Sequence, residues 1–181
     1  MISVSVVRRR SGRETTASPL SGTARDAAFE ASVHRESRRL FLLALAILRD
    51  SGEAEDAVQE TMMKAWRAWD DFRDRERESA WLTRICVNSC LSRRRHLAAR
   101  FPLISPLMRE PVSREAFDEV DLDLDRACRQ VSARQRALLI LHYHHGYTLD
   151  ECAALMRCRP GTVRSHLARA LSTLQREVER G

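Results

Sequence analysis

The sequence SAWLTRICVNSCLSRRRH, residues 79–96, is the stretch from which the fold can be worked out. It contains neither proline nor glycine, and Ser79 is a suitable N-cap, so a single helix is expected. One side of that helix would carry apolar and small side chains, which are Trp81, Leu82, Ile85, Cys86 and Ser89. This side is predicted to pack in a core.

The opposite side of the same helix carries a different chemistry. Arg84, Asn88, Leu91 and Arg95 lie along one stripe, and the run 93–95, RRR, extends the charge beyond the last apolar position. Guanidinium and amide groups in line suit the phosphates and exposed base edges of a nucleic acid. A solvated helix end rich in arginine would give the same pattern.

Composition limits the class of protein. The chain has 181 residues, 44% of them hydrophobic, which allows one domain or two small ones with real cores. A net charge of +6 and a pI near 9.6 favour an anionic partner such as DNA or RNA. The longest apolar run, 40–48, is too short to cross a bilayer, and the first residues do not resemble a secretory signal. We therefore expect a cytoplasmic protein without a membrane partner.

The residues that could support catalysis or bind a metal form no recognisable pattern. The five cysteines are odd in number and include no CxxC pair, so neither a disulfide framework nor a zinc cage is expected. Cys86 and Cys90, one turn apart, are interpreted as small apolar filling, with a redox role as the alternative. The run 142–145, HYHH, lacks an acidic or cysteine partner at a ligand-like interval. We expect no metal, no cofactor and no enzymatic nucleophile.

The first half of the chain is predicted to be a small helical domain, residues 26–98, after a disordered basic tail, residues 1–25. A helix over 27–49 would place Phe29, Val33, Leu40, Ala44 and Ile47 on one face. Its apolar run, 40–48, is wider than one packing face requires and should be covered on two sides. The run 50–52, DSG, ends this helix.

The next helix, within 53–72, has two contrasting faces. Its inner face consists of Ala54, Val58, Thr61, Met62, Ala65 and Trp69. Its outer face consists of Asp56, Gln59, Glu60, Met63 and Arg67, which favours protein docking, although acidic residues are also common at a solvated helix start. Residues 72–78, FRDRERE, alternate in charge and are predicted to form an exposed loop.

Beyond residue 97 the chain changes character. Pro102, Pro106 and Pro111 exclude a continuous helix over 97–111. Acidic residues dominate the rest of 99–125, which is interpreted as a linker between two basic modules. The second domain is then 126–181.

Strong local signals organise the second domain. Two capping boxes start its helices, formed by Ser132 with Gln135 and by Thr148 with Glu151. Gly146 should stop the first helix near residue 144, the second should run to about residue 156, and Pro160 should open a last helix to about residue 179. A short helix, a tight turn and a longer helix predict a helix-turn-helix in an all-α protein.

The last helix also has two faces. Val163, Leu167, Ala170, Leu171 and Leu174 are predicted to face inward, with Ala153 at the helix crossing. Arg164, Ser165, Ala168, Arg169 and Ser172 face outward, where they could enter a major groove. A generic bundle would show similar apolar spacing, but the outward arginines and the tight turn favour DNA binding.

The order of these segments resembles the extracytoplasmic-function sigma factors, two-domain subunits of bacterial transcription initiation. DAVQE, AWLTRICVNSCLSRRR, the acidic linker and TLDECAALMRCRPGTVRSHLARALSTLQ carry the resemblance, which covers residues 29–179. It implies core RNA polymerase, promoter DNA and an anti-sigma factor as partners. A stand-alone helix-turn-helix regulator is the alternative function.

The resemblance also implies roles for individual residues. Asp56, Gln59, Glu60 and Met63 would dock on core polymerase. Phe72, Arg73, Arg84, Asn88, Arg93, Arg94 and Arg95 would engage the melted −10 element. Arg157, Arg159, Thr162, Arg164, Ser165, Ala168 and Arg169 would bind the −35 element.

Three residues depart from the family pattern. Glu78 stands where an aromatic or apolar residue is usual, so base capture there would use different contacts. Arg157 replaces the usual glycine of the turn, at a cost of about 1 kcal/mol if its φ is positive. Arg159 replaces the usual capping serine and loses a cap worth about 1 kcal/mol.

Overall fold

A computed structural model of the chain describes residues 22–100 and 129–179, and every regular element in those ranges is helical. The elements are α1 (Gly22–Leu48), α2 (Ser51–Arg67), a 3-10 turn (Arg75–Arg77), α3 (Glu78–Arg100), α4 (Ala133–Leu139), a π-helical turn (Ile140–His144), α5 (Leu149–Leu155) and α6 (Pro160–Val178). The predicted all-α class is confirmed. Residues 1–21 of the predicted tail, Cys128 and nearly all of the predicted linker lie outside the described residues.

The first two helices are separated where the sequence indicated, but their ends differ from the prediction. Helix α1 begins at Gly22, so residues 22–25 are helical and not part of a tail. Arg49, at φ 59, turns the chain out of α1, and Asp50 caps α2 by accepting a hydrogen bond from the Glu53 amide at 2.8 Å. Helix α2 therefore begins at Ser51, two residues before the expected start.

The core of the first domain follows the predicted inner faces. Leu40, Ala44, Ile47, Ala54, Thr61, Ala65, Leu82, Cys86 and Ser89 are all fully buried. One assignment was wrong: Leu91 was placed on the exposed stripe of α3, yet it is only 7% exposed. Because α1 and α2 both pack on α3, its buried surface is wider than one stripe.

Helix α3 begins and ends differently from the prediction. It begins at Glu78, so Ser79 lies in its first turn and is not the N-cap; the Ser79 carbonyl accepts hydrogen bonds from Thr83 and Arg39. At the other end α3 continues to Arg100, two residues before Pro102, and takes in the first two residues of the predicted linker.

The second domain is built as its local signals indicated. Both predicted capping boxes are present. In each, the side chain of the cap residue accepts a hydrogen bond from the backbone amide three residues on, and the side chain of that residue accepts one from the backbone amide of the cap. Gly146, at φ 72, ends the first helical stretch, whose last turn is π-helical. Pro160 is the first residue of α6, and Ala153 is buried at 4% exposure. Leu171 was predicted to face inward but is 42% exposed, so that prediction was wrong.

The two domains pack directly on each other. Helix α4 covers the second side of the run 40–48, which confirms the two-sided burial expected for it. Residues of both domains form one continuous buried cluster that includes Leu43, Leu45, Leu138 and Leu141. In the described part of the chain, the two domains therefore share one hydrophobic core.

The burial of His145 makes the stability of the fold depend on pH. His145 is half-buried, and this burial lowers its pKa below 6.5. The positive charges of His144 and Arg39 lower the pKa further, and Arg39 is itself paired with Glu36. The folded chain thus binds fewer protons than the unfolded chain, so stability should fall as pH drops through 6.5 toward the folded pKa. We expect a lower Tm below pH 6.5 than above it.

The matched variant His145→Gln should show a smaller difference between the two pH values. His166, whose pKa is also lowered mainly by burial, remains in both proteins. The comparison of the two proteins therefore isolates His145, and equal pH dependence in the two would contradict the prediction.

Candidate nucleic-acid and polymerase interfaces

The exposed side of α3 retains most of its predicted basic residues. Arg84 and Arg95 are exposed and Arg94 is half-buried. Asn88 is also half-buried, because its Nδ2 donates to the Leu155 carbonyl at 2.8 Å as well as to the Arg84 carbonyl at 2.6 Å. In this arrangement Asn88 faces the second domain.

Arg93 has a different environment from its neighbours. Its Nε donates to Glu53 at 2.8 Å, and its Nη2 bonds to Asp56, so it ties α3 to α2. Partial burial opposes its charge, but the two carboxylates outweigh this and raise the pKa of Arg93. An arginine held by two carboxylates is less available to phosphate than Arg94 or Arg95.

The segment before α3 is only partly the exposed loop that was predicted. Residues 73–77 are exposed, but Phe72 stacks on Trp81 with ring centroids 4.2 Å apart and planes 6° apart. Arg75 lies over the Trp69 ring at 3.8 Å. This segment therefore presents an ordered aromatic and basic surface, which suits stacking with unpaired bases.

Glu78 holds this segment in place. Its carboxylate accepts hydrogen bonds from Ser32 Oγ and from Arg35 Nη2, each at 2.6 Å, and its side chain is 12% exposed. Since both partners lie on α1, Glu78 fixes the start of α3 to the first helix. The residue that departs from the family pattern is therefore turned inward, away from the exposed surface.

The outer face of α2 is present as predicted. Asp56, Gln59 and Met63 are exposed, Met63 at 52%. Glu60 pairs with Lys64 at 2.6 Å. An exposed methionine among carboxylates and an amide provides apolar area with polar neighbours, as protein interfaces commonly do.

The outward face of α6 is open to solvent. Arg164, Ser165, Ala168 and Arg169 are exposed, while Thr162 is half-buried. Arg157 and Arg159, in the turn before α6, are also exposed. Most of the −35 residues expected from the resemblance thus share one accessible surface.

Two basic residues near this surface were missed in the sequence. Arg134 on α4 lies close enough to His166 on α6 that its charge, like that of Arg169, adds to the lowering of the pKa of His166 by burial. His166 adjoins Ser165 and could have been included from its position alone. Arg134 could not, because only the packing of α4 on α6 brings it there.

The cysteines are free thiols in the described ranges, with Cys86, Cys90 and Cys152 buried and Cys158 half-buried. A hydrogen bond between the thiols of Cys86 and Cys90 lowers the pKa of the former and raises that of the latter. Burial raises the pKa of Cys152 to about 11. In residues 22–100 and 129–179, no group of His, Cys, Asp or Glu is arranged to hold a metal, and no helix is long and apolar enough to span a membrane.

Arg157 adopts the backbone conformation that favours glycine. Its φ is 50°, which costs an L side chain about 1 kcal/mol relative to glycine. We expect Arg157→Gly to raise the Tm of the chain by about 2–4 °C, measured by thermal melting. Arg157→Ala is the control, since it removes the charge and keeps the strain. A lower Tm for Arg157→Gly would contradict the expectation.

Comparison with known proteins decides the family. Residues 33–100 match the family described as Sigma-70 region 2, and residues 121–174 match Sigma-70, region 4. The ECF RNA polymerase sigma factor SigM of Mycobacterium tuberculosis is 34% identical over 153 residues, which are 82% of this chain and 76% of SigM. The chain belongs to the ECF sigma factors.

Another relative and two solved structures are also similar to the chain. SigL of Mycobacterium tuberculosis is 32% identical over 142 residues, covering 75% of this chain and 80% of SigL. The sigma factor RpoE of Bartonella quintana, solved with the anti-sigma factor NepR, matches with a TM-score of 0.66 and 28% identity, over 84% of this chain and 97% of RpoE. CnrH, solved with the cytosolic domain of CnrY, matches with a TM-score of 0.55 and 25% identity, over 86% of this chain and 90% of CnrH.

Proposed function

We propose that this ECF sigma factor binds core RNA polymerase, recognises the −35 and −10 elements of a promoter and promotes strand opening. The observation that carries the proposal is the presence of both sigma-70 regions on one chain, each with its own exposed basic surface. It would act in the cytoplasm, bound to polymerase. The reaction itself belongs to the polymerase, so the chain needs no catalytic residue.

The outer face of α2 is the proposed polymerase site. Asp56, Gln59, Glu60 and Met63 lie on it, on the side away from the buried Ala57 and Thr61. Met63 would supply apolar contact, and the polar residues around it would fix the orientation. Asp56 is paired with Arg93 of α3, so a polymerase contact at Asp56 would also change the surroundings of α3, which carries residues of the proposed −10 site.

The −10 site is proposed to extend from Phe72 along α3. The stacked pair Phe72 and Trp81 would support bases of the melted strand, and Arg73, Arg84, Arg94 and Arg95 would hold its phosphates. Asn88 can reach this surface only when it leaves the Leu155 carbonyl. Arg93 acts first as the link between α2 and α3.

The −35 site is proposed to be the outward face of α6 with the turn before it. Arg164 and Arg169 would read guanine or bind phosphate, and Ser165 would bind either. Arg157, Arg159, Thr162 and the small Ala168 complete the surface. Arginine at these positions makes binding strongly dependent on salt.

Transcription in vitro tests the proposal. Core polymerase is combined with the chain over a promoter library, and transcripts are mapped. Start sites that appear only with the chain are expected. The stand-alone regulator predicts instead that the chain alone protects duplex DNA and that core polymerase starts transcription at the same sites with or without it.

An anti-sigma partner is part of the proposal. RpoE of Bartonella quintana was solved with such a partner, the anti-sigma factor NepR, and CnrH was solved with the cytosolic domain of CnrY. A pull-down of the tagged chain from uninduced cells should recover a small inhibitory protein. Recovery of polymerase subunits alone would count against this part of the proposal.

A further inference from the structure

The chain carries a block of positive charge that none of the interfaces proposed above uses. Residues 1–21, which precede α1 and which we call the basic arm, contain one acidic residue and four arginines, Arg8, Arg9, Arg10 and Arg13. The excess of three positive charges is half of the net charge of +6, although the basic arm is a small part of the 181 residues. Since basic N-terminal arms often bind nucleic acid, the basic arm suits an anionic partner of that kind.

The first turn of α1 fixes the point at which the basic arm joins the first domain. Helix α1 begins at Gly22, and Arg25 lies in its first turn. The Arg25 Nε donates to Asp70 at 2.7 Å, and its Nη2 donates to the Trp66 carbonyl at 3.2 Å. The guanidinium also lies over the Trp66 ring, 3.6 Å from its centroid. One side chain therefore holds the start of α1 against the end of α2 and the turn that follows it.

The start of α1 lies at one end of a row of aromatic rings that leads to the proposed −10 site. Phe29 packs on Trp66 and on Trp69, with ring centroids 5.0 Å apart in each pair. Trp69 in turn lies 6.1 Å from Trp81, whose ring stacks on Phe72 at 4.2 Å. The basic arm therefore joins the domain beside the surface that is proposed to hold the melted strand.

The basic arm is long enough to reach beyond that surface. An extended chain spans at most about 3.3–3.6 Å per residue, so Arg10, twelve residues before Gly22, can lie up to about 40 Å from it. One turn of B-form DNA is about 34 Å long. The arginines can therefore reach phosphates on the DNA next to the −10 element while α3 holds the element itself.

Duplex DNA fits the charge of the basic arm better than a single strand does. A duplex carries one negative charge per about 1.7 Å of its axis, and an arginine that neutralises a phosphate releases a condensed counterion. Arginine also binds phosphate through two parallel N–H bonds. The proposed −10 residues hold the melted strand, which leaves the bordering duplex to the basic arm.

We propose that the basic arm is a DNA-binding element whose four arginines bind phosphates of the duplex that borders the −10 element. The location rests on the proposed function, because the −10 site belongs to it. Phosphate contacts position a protein on DNA, whereas contacts with base edges specify the sequence. The basic arm therefore adds affinity, and the choice of promoter stays with α3 and α6.

The salt dependence of DNA binding tests the basic arm in the full chain. Binding of the free chain to a mixed-sequence duplex is measured by fluorescence anisotropy between about 50 and 200 mM salt. Arg9→Ala combined with Arg10→Ala should weaken binding about tenfold and lower the slope of log affinity against log salt by about 2, because each lost phosphate contact removes about 0.9. Arg9→Lys combined with Arg10→Lys keeps both charges and should keep the slope.

A control of equal charge separates the basic arm from the net charge of the chain. Arg38→Ala combined with Arg176→Ala removes two exposed arginines, one on α1 and one on α6, that lie outside the proposed interfaces. This variant should keep a slope close to that of wild type. Equal changes of slope in the two alanine variants would overturn the proposal, because net charge alone would then explain the binding. A melting curve shows that each variant is folded.

Crosslinking in the transcription complex tests where the basic arm binds. A photoreactive amino acid replaces Ser11, which lies among the arginines, and the full chain is combined with core polymerase and promoter DNA. Crosslinks are expected on the duplex within about one helical turn of the −10 element. Crosslinks confined to polymerase subunits or to the chain itself would overturn the proposal.

Failure of the basic arm and failure of the proposed function give different results. A chain that redirects polymerase, but whose Arg9→Ala, Arg10→Ala variant keeps the wild-type slope, overturns the role of the basic arm alone. A chain whose basic arm sets the slope on duplex DNA but which never redirects polymerase overturns the proposed function.

Discussion

Transcription from a cognate promoter is expected to fall about 100-fold when Arg164 and Arg169 are both replaced by alanine. Both side chains are exposed on the outward face of α6 and lie five residues apart. They can therefore reach base edges and phosphates of the same groove. Loss of one such contact costs about 1–3 kcal/mol, and two roughly independent losses multiply the effect on binding. The measurement is in vitro transcription with core polymerase, with promoter binding by anisotropy alongside.

Arg176→Ala is the matched control for the double variant. It removes an arginine from the same helix, but Arg176 lies in the last turn, where its Nε donates to the Ser172 carbonyl. Transcription with this variant should stay close to that of wild type. Equal losses in the control and the double variant would mean that general positive charge, not the face of α6, supports binding.

Trp69→Ala should destabilise the first domain by about 3–5 kcal/mol. Trp69 is 2% exposed and meets Phe29 edge to face at a centroid distance of 5.0 Å, with Trp81 at 6.1 Å. Alanine would leave a large cavity between α1, the end of α2 and the start of α3. Denaturant unfolding followed by circular dichroism measures the loss.

Trp69→Phe provides the comparison. The Trp69 Nε1 is buried and has no hydrogen-bond partner in the described part of the chain, so phenylalanine forfeits no such bond. A loss of roughly 1–2 kcal/mol is expected, set by the smaller ring. If Trp69→Ala lowered the free energy of unfolding no more than Trp69→Phe does, the packing of the aromatic cluster would not stabilise this domain as expected.

Local signals in the sequence predicted the second domain well. Both capping boxes, the stop at Gly146 and the start at Pro160 are encoded within a few residues of where they act. The exposed face of α6 follows from helical spacing alone. The family followed from the order of several such segments, which is more specific than any one of them.

Contacts between distant residues could not be predicted in the same way. Leu91 is buried because two helices pack on α3, and Arg93 is held by carboxylates of α2. Asn88 and Arg136 act across the two domains, at sequence separations of 67 and 89 residues. Helical spacing says which side a residue is on, but not which neighbour will cover that side.

The separation between Ile47 and Arg136 has a consequence for synthesis of the chain. The carbonyl of Ile47 leaves the ribosome 89 residues ahead of the arginine that binds it. The first domain is complete at Arg100, 36 residues before Arg136, and at usual elongation rates that interval is on the order of a few seconds, long enough for the first domain to fold alone. During that interval the apolar end of α1 lacks its cover, so each nascent chain passes through a stage at which chaperones or a neighbouring nascent chain can reach that surface.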